Sequence, residues 1–166
     1  NAMLVAAKYG YPGVVAEFAT RGSDINAVDG DGNTAMMIAA KRGHTEVVST
    51  LLAKNANQDM QNRHGYSPMM LASMGGHEQI VAQLVDEGGN VNYRHECGCT
   101  ALLLAAEKGH VGIVKKLLDN GADINAVNND GTSALMFSVV NHHKALTDLL
   151  IDRGIDTTKE AVAQTA

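Results

Sequence analysis

Asp29-Gly30-Asp31-Gly32-Asn33-Thr34-Ala35-Met36-Met37-Ile38-Ala39-Ala40-Lys41-Arg42-Gly43-His44 decides the fold, because its landmarks return at a fixed interval along the chain. Gly32, Gly65, Gly98 and Gly131 are each 33 residues apart. Two residues later a hydroxyl stands every time: Thr34, Ser67, Thr100 and Ser133. His44, His77, His110 and His143 keep the same period, as do Leu51, Leu84, Leu117 and Leu150. Four columns at one spacing mark a repeat protein, and 166 residues accommodate about five repeats of that length.

Each repeat has a chemical reading. The polar tips Asp29-Gly30-Asp31-Gly32, Arg63-His64-Gly65 and Asn129-Asp130-Gly131 require positive φ and predict tight, hairpin-like turns. The following Thr or Ser is placed to cap a helix, its oxygen accepting from the first unpaired helical amides. A short, Ala-rich apolar helix comes next, over 35–40, 68–72 and 101–106, with Pro68 at the first helical position, where Pro is welcome. Gly-His pairs break the chain at 43–44, 76–77 and 109–110, and the His reads as a turn-and-cap residue. A second helix carries Val47, Val48, Leu51 and Leu52 on one stripe of 3.6 period. It ends on Gly22, Asn55, Gly88, Gly121 and Gly154, a column expected to be left-handed, where Asn is the usual substitute for Gly. A single repeat cannot bury both faces of its helix pair, so stacked repeats must share a core.

Composition agrees with that reading. With four Tyr, two Phe and no Trp, the interior must be filled by Ala, Val, Leu, Ile and eight Met. A net charge of −5 gives no electrostatic footprint for nucleic acid or an anionic membrane surface. No apolar run approaches the ~20 residues of a bilayer span, and no basic-then-apolar leader opens the chain. Cys97-Gly98-Cys99 is not the framework of a disulfide-stapled secreted miniprotein, so the cytoplasm is favoured.

The stretch 29–44, together with the closing Asn120-Gly121-Ala122-Asp123-Ile124-Asn125-Ala126, resembles the ankyrin-repeat family. The likeness runs from about Ala2 to about Asp156. It implies an all-α, ankyrin-like repeat solenoid of helix-turn-helix units with short β-hairpin fingers. We expect one domain over 1–166, with repeats at about 1–28, 29–61, 62–94, 95–127 and 128–156. Where the family often has Thr-Pro-Leu-His, this chain has Thr34-Ala35-Met36-Met37, Ser67-Pro68-Met69-Met70, Thr100-Ala101-Leu102-Leu103 and Ser133-Ala134-Leu135-Met136. A polar His is thereby exchanged for apolar packing. The end repeats are atypical. The first starts directly at a helix over 3–9, followed by one over 12–20, and the fifth replaces Gly-His with Asn141-His142-His143-Lys144. Thr157 and Glu160 have capping-box spacing and predict a C-terminal capping helix over about 157–166. Asn1-Ala2 reads as a tag scar or a truncation point, which keeps open a scaffold fragment of a larger multidomain protein.

The function implied by the resemblance is non-catalytic protein–protein interaction through a concave face of hairpin tips and inner helices. Those columns vary within the chain while the scaffold columns hold. The partner-binding residues expected there are Tyr9, Lys41, Arg42, Arg63, His64, Tyr66 and Met74, a mixture of aromatic, cationic and thioether contacts. Local positive charge on an acidic protein predicts a partner with an acidic segment, met by a monomer. The plain alternative is a solvated helix face.

Catalysis has no signature: there is no Ser-His-Asp order, Gly-x-Ser-x-Gly elbow, phosphate loop or dinucleotide fingerprint, so no enzyme and no cofactor are expected. A His recurring in every repeat is structural rather than catalytic. His95, Cys97 and Cys99 differ, because they cluster on one tip and depart from the repeat pattern. With His64 in the preceding tip they are soft donors suited to zinc or copper, which makes a metal-binding or thiol-redox module the alternative function. The i, i+2 spacing suits the usual Cys-x-x-Cys chelate poorly, so no metal is the preferred reading. A Cys97–Cys99 disulfide is expected to be strained.

Overall fold

The computed structural model describes residues 1–158, and the chain divides into two compact units, Asn1–Asn90 and Val91–Ala166. The first unit contains α1 (Ala2–Tyr9), α2 (Pro12–Thr20), α3 (Ala35–Arg42), α4 (Thr45–Ala53), α5 (Pro68–Gly75) and α6 (Glu78–Asp86). The second contains, among the described residues, α7 (Ala101–Lys108), α8 (Val111–Asp119), α9 (Ala134–Val140) and α10 (Lys144–Asp152). The capping helix expected over 157–166 falls, past Thr158, outside the described residues. Among the described residues no helix is long and apolar enough to cross a membrane.

Every inner helix after the first begins on the hydroxyl column. Thr34 Oγ1 accepts the Met37 amide at 3.2 Å, Ser67 Oγ the Met70 amide at 3.3 Å, Thr100 Oγ1 the Leu103 amide at 3.3 Å and Ser133 Oγ the Met136 amide at 3.2 Å. Each such cap contributes about 1 kcal/mol. In the first unit α1, α3 and α5 lie side by side, and α2, α4 and α6 form a second row behind them. The second unit repeats this arrangement with α7 beside α9 and α8 beside α10. Met36, Met37, Met69, Met70, Leu102, Leu103 and Leu135 are buried, so the exchange of His for Met or Leu fills the core. Met136 is only half-buried. Burying such a side chain fully contributes about 1.5–3 kcal/mol.

The His column works differently from the turn-and-cap role expected of it. His44, His77 and His143 sit at the N-cap positions of α4, α6 and α10, but their side chains make no capping bond. The rings reach back to the preceding repeat instead. His44 Nε2 meets the Lys8 carbonyl at 3.0 Å, His77 Nε2 the Lys41 carbonyl at 3.1 Å and His143 Nε2 the Glu107 carbonyl at 3.3 Å. The rings lie where a side chain on the preceding glycine would be: a Cβ added at Gly43 would stand 2.6 Å from the His77 ring. An imidazole is long enough to span that gap and an N-capping Ser or Asp is not.

The expected β-hairpin fingers reduce to turns. Asp29 and Asn33 close the first with a 3.0 Å amide-to-carbonyl bond, and the Gly32 amide donates to the Asp29 carbonyl at 3.1 Å. The same pair of bonds closes 62–66, 95–99 and 128–132. Only single antiparallel bridges, Val28 with Thr34 and Val127 with Ser133, flank two of these turns. Legs this short carry too few ladder bonds to make strands. A second ladder joins successive repeats. Asn26 Oδ1 accepts the Asn57 amide at 2.8 Å and Asp59 Oδ1 the Asn90 amide at 3.3 Å. Asn92 Oδ1 accepts the Asp123 amide at 2.9 Å and Asn125 Oδ1 the Asp156 amide at 2.8 Å.

Candidate functional site

In the first unit, the last turns of α1 and α3 and the first finger enclose a groove of about 210 Å³ lined by Lys8, Asp29, Asn33, Met37, Ile38, Lys41 and Arg42. That volume suits one side chain of a partner rather than a drug-sized ligand. Lys8, Lys41 and Arg42 are exposed, and none of them forms a salt bridge among the described residues. Cations in the last turn of a helix also answer its dipole, which contributes about 0.3–1 kcal/mol to helix stability. The dipole does not require three of them to surround one depression.

The groove is rigidly framed. His44 and His77 hold the carbonyls of Lys8 and Lys41, which fixes the two helix ends carrying the cations. Asp29 Oδ1 accepts the amides of Asp31 and Asn33, both at 2.9 Å. Burial pushes the Asp29 carboxyl up, but the Asn33 and Asp31 donors and the Arg63 charge outweigh it and hold it below its ordinary 3.8. Asp29 is thus an ionised part of the turn, not a carboxylate waiting for a cation.

The sequence-derived residues divide into groups. Lys41 and Arg42 line the groove. Tyr9 ends α1, 60% exposed, with Lys8 Nζ 5.7 Å from its ring centroid in a cation–π contact. Arg63, His64 and Tyr66 belong to the second finger, which hangs on the first by the Arg63 amide bonded to the Asp31 carbonyl at 2.9 Å. Asn62 Oδ1 accepts the His64 and Tyr66 amides, each at 3.0 Å. Met74 is half-buried in the last turn of α5 and is not part of the groove lining. Lys8 and Asn33 stand in the variable columns expected on the concave face without being among the seven residues singled out, and Asp29, Met37 and Ile38 were not expected there. Lys8 was within reach of the sequence reading, because it stands one period before Lys41.

The second unit carries the thiols. Contrary to the reading that this tip departs from the repeat pattern, His95 occupies a periodic position, the one held by Asp29, Asn62 and Asn128 in the other fingers. Its Nδ1 accepts the Cys97 amide at 3.1 Å, as Asn128 Oδ1 accepts the Asp130 amide at 3.0 Å. The same nitrogen lies 3.0 Å from Cys97 Sγ, and the two sulfurs are 2.6 Å apart. Among the described residues no group of three or more His, Cys, Asp or Glu side chains is gathered so as to hold a metal ion.

Comparison with curated proteins gives no match. The model of a family described as ankyrin repeats (three copies) matches residues 3–95 and 83–161. Together with the capped helix pairs and the 33-residue columns, that match establishes that the chain belongs to the ankyrin repeat family.

Proposed function

We propose that this chain is a non-catalytic protein-binding module whose first compact unit takes an acidic segment of a partner, with one carboxylate seated among Lys8, Lys41 and Arg42. Ankyrin repeats are generally protein–protein interaction modules. The observation that carries the finer reading is the groove lined by three cations without salt-bridge partners among the described residues. Ile38, half-buried on the groove wall, supplies apolar contact for the stem of the incoming side chain. Tyr9, Arg63, His64, Tyr66 and Met74 extend the contact along the fingers and inner-helix ends. Because the helix ends are pinned by His44 and His77, little ordering remains to oppose association. The chain binds as a monomer, which sedimentation equilibrium reads as a species of 17.5 kDa.

The test is selection of displayed random peptides on the whole chain. Enriched peptides are expected to be rich in Asp and Glu, and Lys41→Glu with Arg42→Glu should weaken them roughly tenfold or more while leaving thermal unfolding unchanged. Enrichment without acidic residues, or affinity that survives the charge reversal, contradicts the reading.

A further inference from the structure

The third finger holds chemistry that the partner groove does not use. Three groups converge at its tip within a four-step turn: Cys97 Sγ stands 2.6 Å from Cys99 Sγ and 3.0 Å from His95 Nδ1. No other finger brings a thiol there; the matching tip pairs are Asp31 with Asn33, His64 with Tyr66 and Asp130 with Thr132. The turn itself is the ordinary one, closed by the His95 amide on the Cys99 carbonyl at 2.9 Å and the Gly98 amide on the His95 carbonyl at 2.7 Å. It therefore presents both sulfurs on a fixed frame, and Cys97 is exposed to solvent.

We propose that Cys97 and Cys99 form a reversible dithiol–disulfide site, in which Cys97 attacks a small-molecule disulfide and Cys99 resolves the adduct into a Cys97–Cys99 bridge. With the ring in its Nε2–H tautomer, the one lone pair of His95 Nδ1 is shared between the Cys97 amide at 3.1 Å and the Cys97 thiol at 3.0 Å, and Nδ1 gives up the amide when it takes the thiol proton. The Cys97 thiolate then attacks one sulfur of the disulfide RSSR. A Cys97–S–S–R bond forms, the S–S bond of RSSR breaks, and RS⁻ leaves to take up a proton. Cys99 next loses its proton and attacks Cys97 Sγ, forming the bridge and expelling the second RS⁻. Two protein thiols are oxidised and one RSSR is reduced to two RSH.

The environment sorts the two sulfurs into these roles. Burial works against the Cys97 thiolate, but hydrogen bonds from Cys99 and His95 outweigh it and lower the thiol below its ordinary range. Burial, Cys97, Glu107 and Asp130 push Cys99 up to about 12, so Cys97 is the first of the two to lose its proton. Once Cys97 is capped by R, its charge and its claim on the Cys99 proton vanish together, which frees Cys99 for the second step. A bridge across one intervening residue closes a small, strained ring, and strained disulfides are the readily reduced, labile ones. This inference is independent of the partner groove.

The experiment treats the whole chain with oxidised glutathione and follows the sulfurs by peptide mass mapping. Wild type should form the intramolecular bridge and return to the dithiol on adding reduced glutathione. Cys99→Ser should accumulate the glutathione adduct at Cys97. Cys97→Ser should react at Cys99 roughly threefold or more slowly than wild type reacts at Cys97, since burial, Glu107 and Asp130 still oppose the Cys99 thiolate. His95→Asn keeps the residue type that closes two other fingers, so it should unfold like wild type while its Cys97 reacts roughly threefold to tenfold more slowly. Equal rates at the two sulfurs, a wild type that stops at glutathione adducts, or an unchanged rate in His95→Asn each overturns the proposal.

Discussion

The two ends of each inner helix obey different rules. After α3, α5 and α7 comes the outer turn, where the repeat keeps its side chains: Gly43 before His44, Gly76 before His77, Gly109 before His110. Before the inner helix comes the finger, whose tip reads Asp31, His64, Cys97 or Asp130 in the same turn. At the outer turn the link to the neighbouring repeat is made by a side chain, the imidazole laid on a glycine and bonded to a carbonyl. At the finger the tip residue joins through main chain, the Arg63 amide on the Asp31 carbonyl and the Asn129 amide on the Cys97 carbonyl at 2.8 Å, while side chains join beside it, Asn62 Nδ2 donating to Asn33 Oδ1 at 2.9 Å. Side-chain identity is fixed where side chains carry the joint and released where the backbone carries it. Released finger positions carry Arg63 and His64 in the first unit and the thiols in the second, and Lys8 and Lys41, which enter the outer joint only through their main-chain carbonyls, have their side chains released as well.

Substitutions at the two ends should have unequal effects. The largest effect is expected at Gly43, where φ is +80° and an added Cβ would meet the His77 ring. Gly43→Ala should destabilise by about 3 kcal/mol, combining backbone strain with overlap. Gly121 also has positive φ, but nothing lies within 4 Å of its added Cβ, so Gly121→Ala should cost only about 1 kcal/mol. Equal losses in denaturant unfolding would show that the ring contact is immaterial. His77→Ala comes next: it forfeits the Lys41 carbonyl bond and leaves a void over Gly43, for a loss of about 2 kcal/mol. At the finger the expected effects are small. Asp29→Asn installs the residue that closes two other fingers and should leave neutral-pH stability within about 0.5 kcal/mol. Its signature is in acid. The Asp29 carboxyl is lowered in the folded chain, so its contribution is present above the unfolded value of 3.8 and is lost as pH falls through the folded value. Wild type should therefore lose slightly more stability than Asp29→Asn on acidification, and identical pH profiles would contradict the assignment.

Much of the scaffold was legible in the sequence. Thr34, Ser67, Thr100 and Ser133 were readable as caps because capping is local chemistry, settled within three residues. Asn55 was readable as left-handed from its column, and its φ is 60°. The His column was readable as structural but not as a staple, since its bond runs 36 residues back to a carbonyl that has no residue signature. The ladder from Asn26 and Asp59 escaped for the same reason, although the period was there to be noticed. Lys41 and Arg42 were found from their variable column; the groove around them needs the approach of α1, α3 and a finger, which no local pattern encodes.

Binding of an acidic segment at the inner-helix ends of the first unit is read residue by residue by nuclear magnetic resonance. The whole, isotope-labelled chain is titrated with an acidic peptide enriched by selection. Amide shifts are predicted at Lys8, Tyr9, Lys41, Arg42, Arg63, His64 and Tyr66, saturating together. Shifts confined to the outer helices α2, α4 and α6, with those seven amides unmoved, would contradict the account.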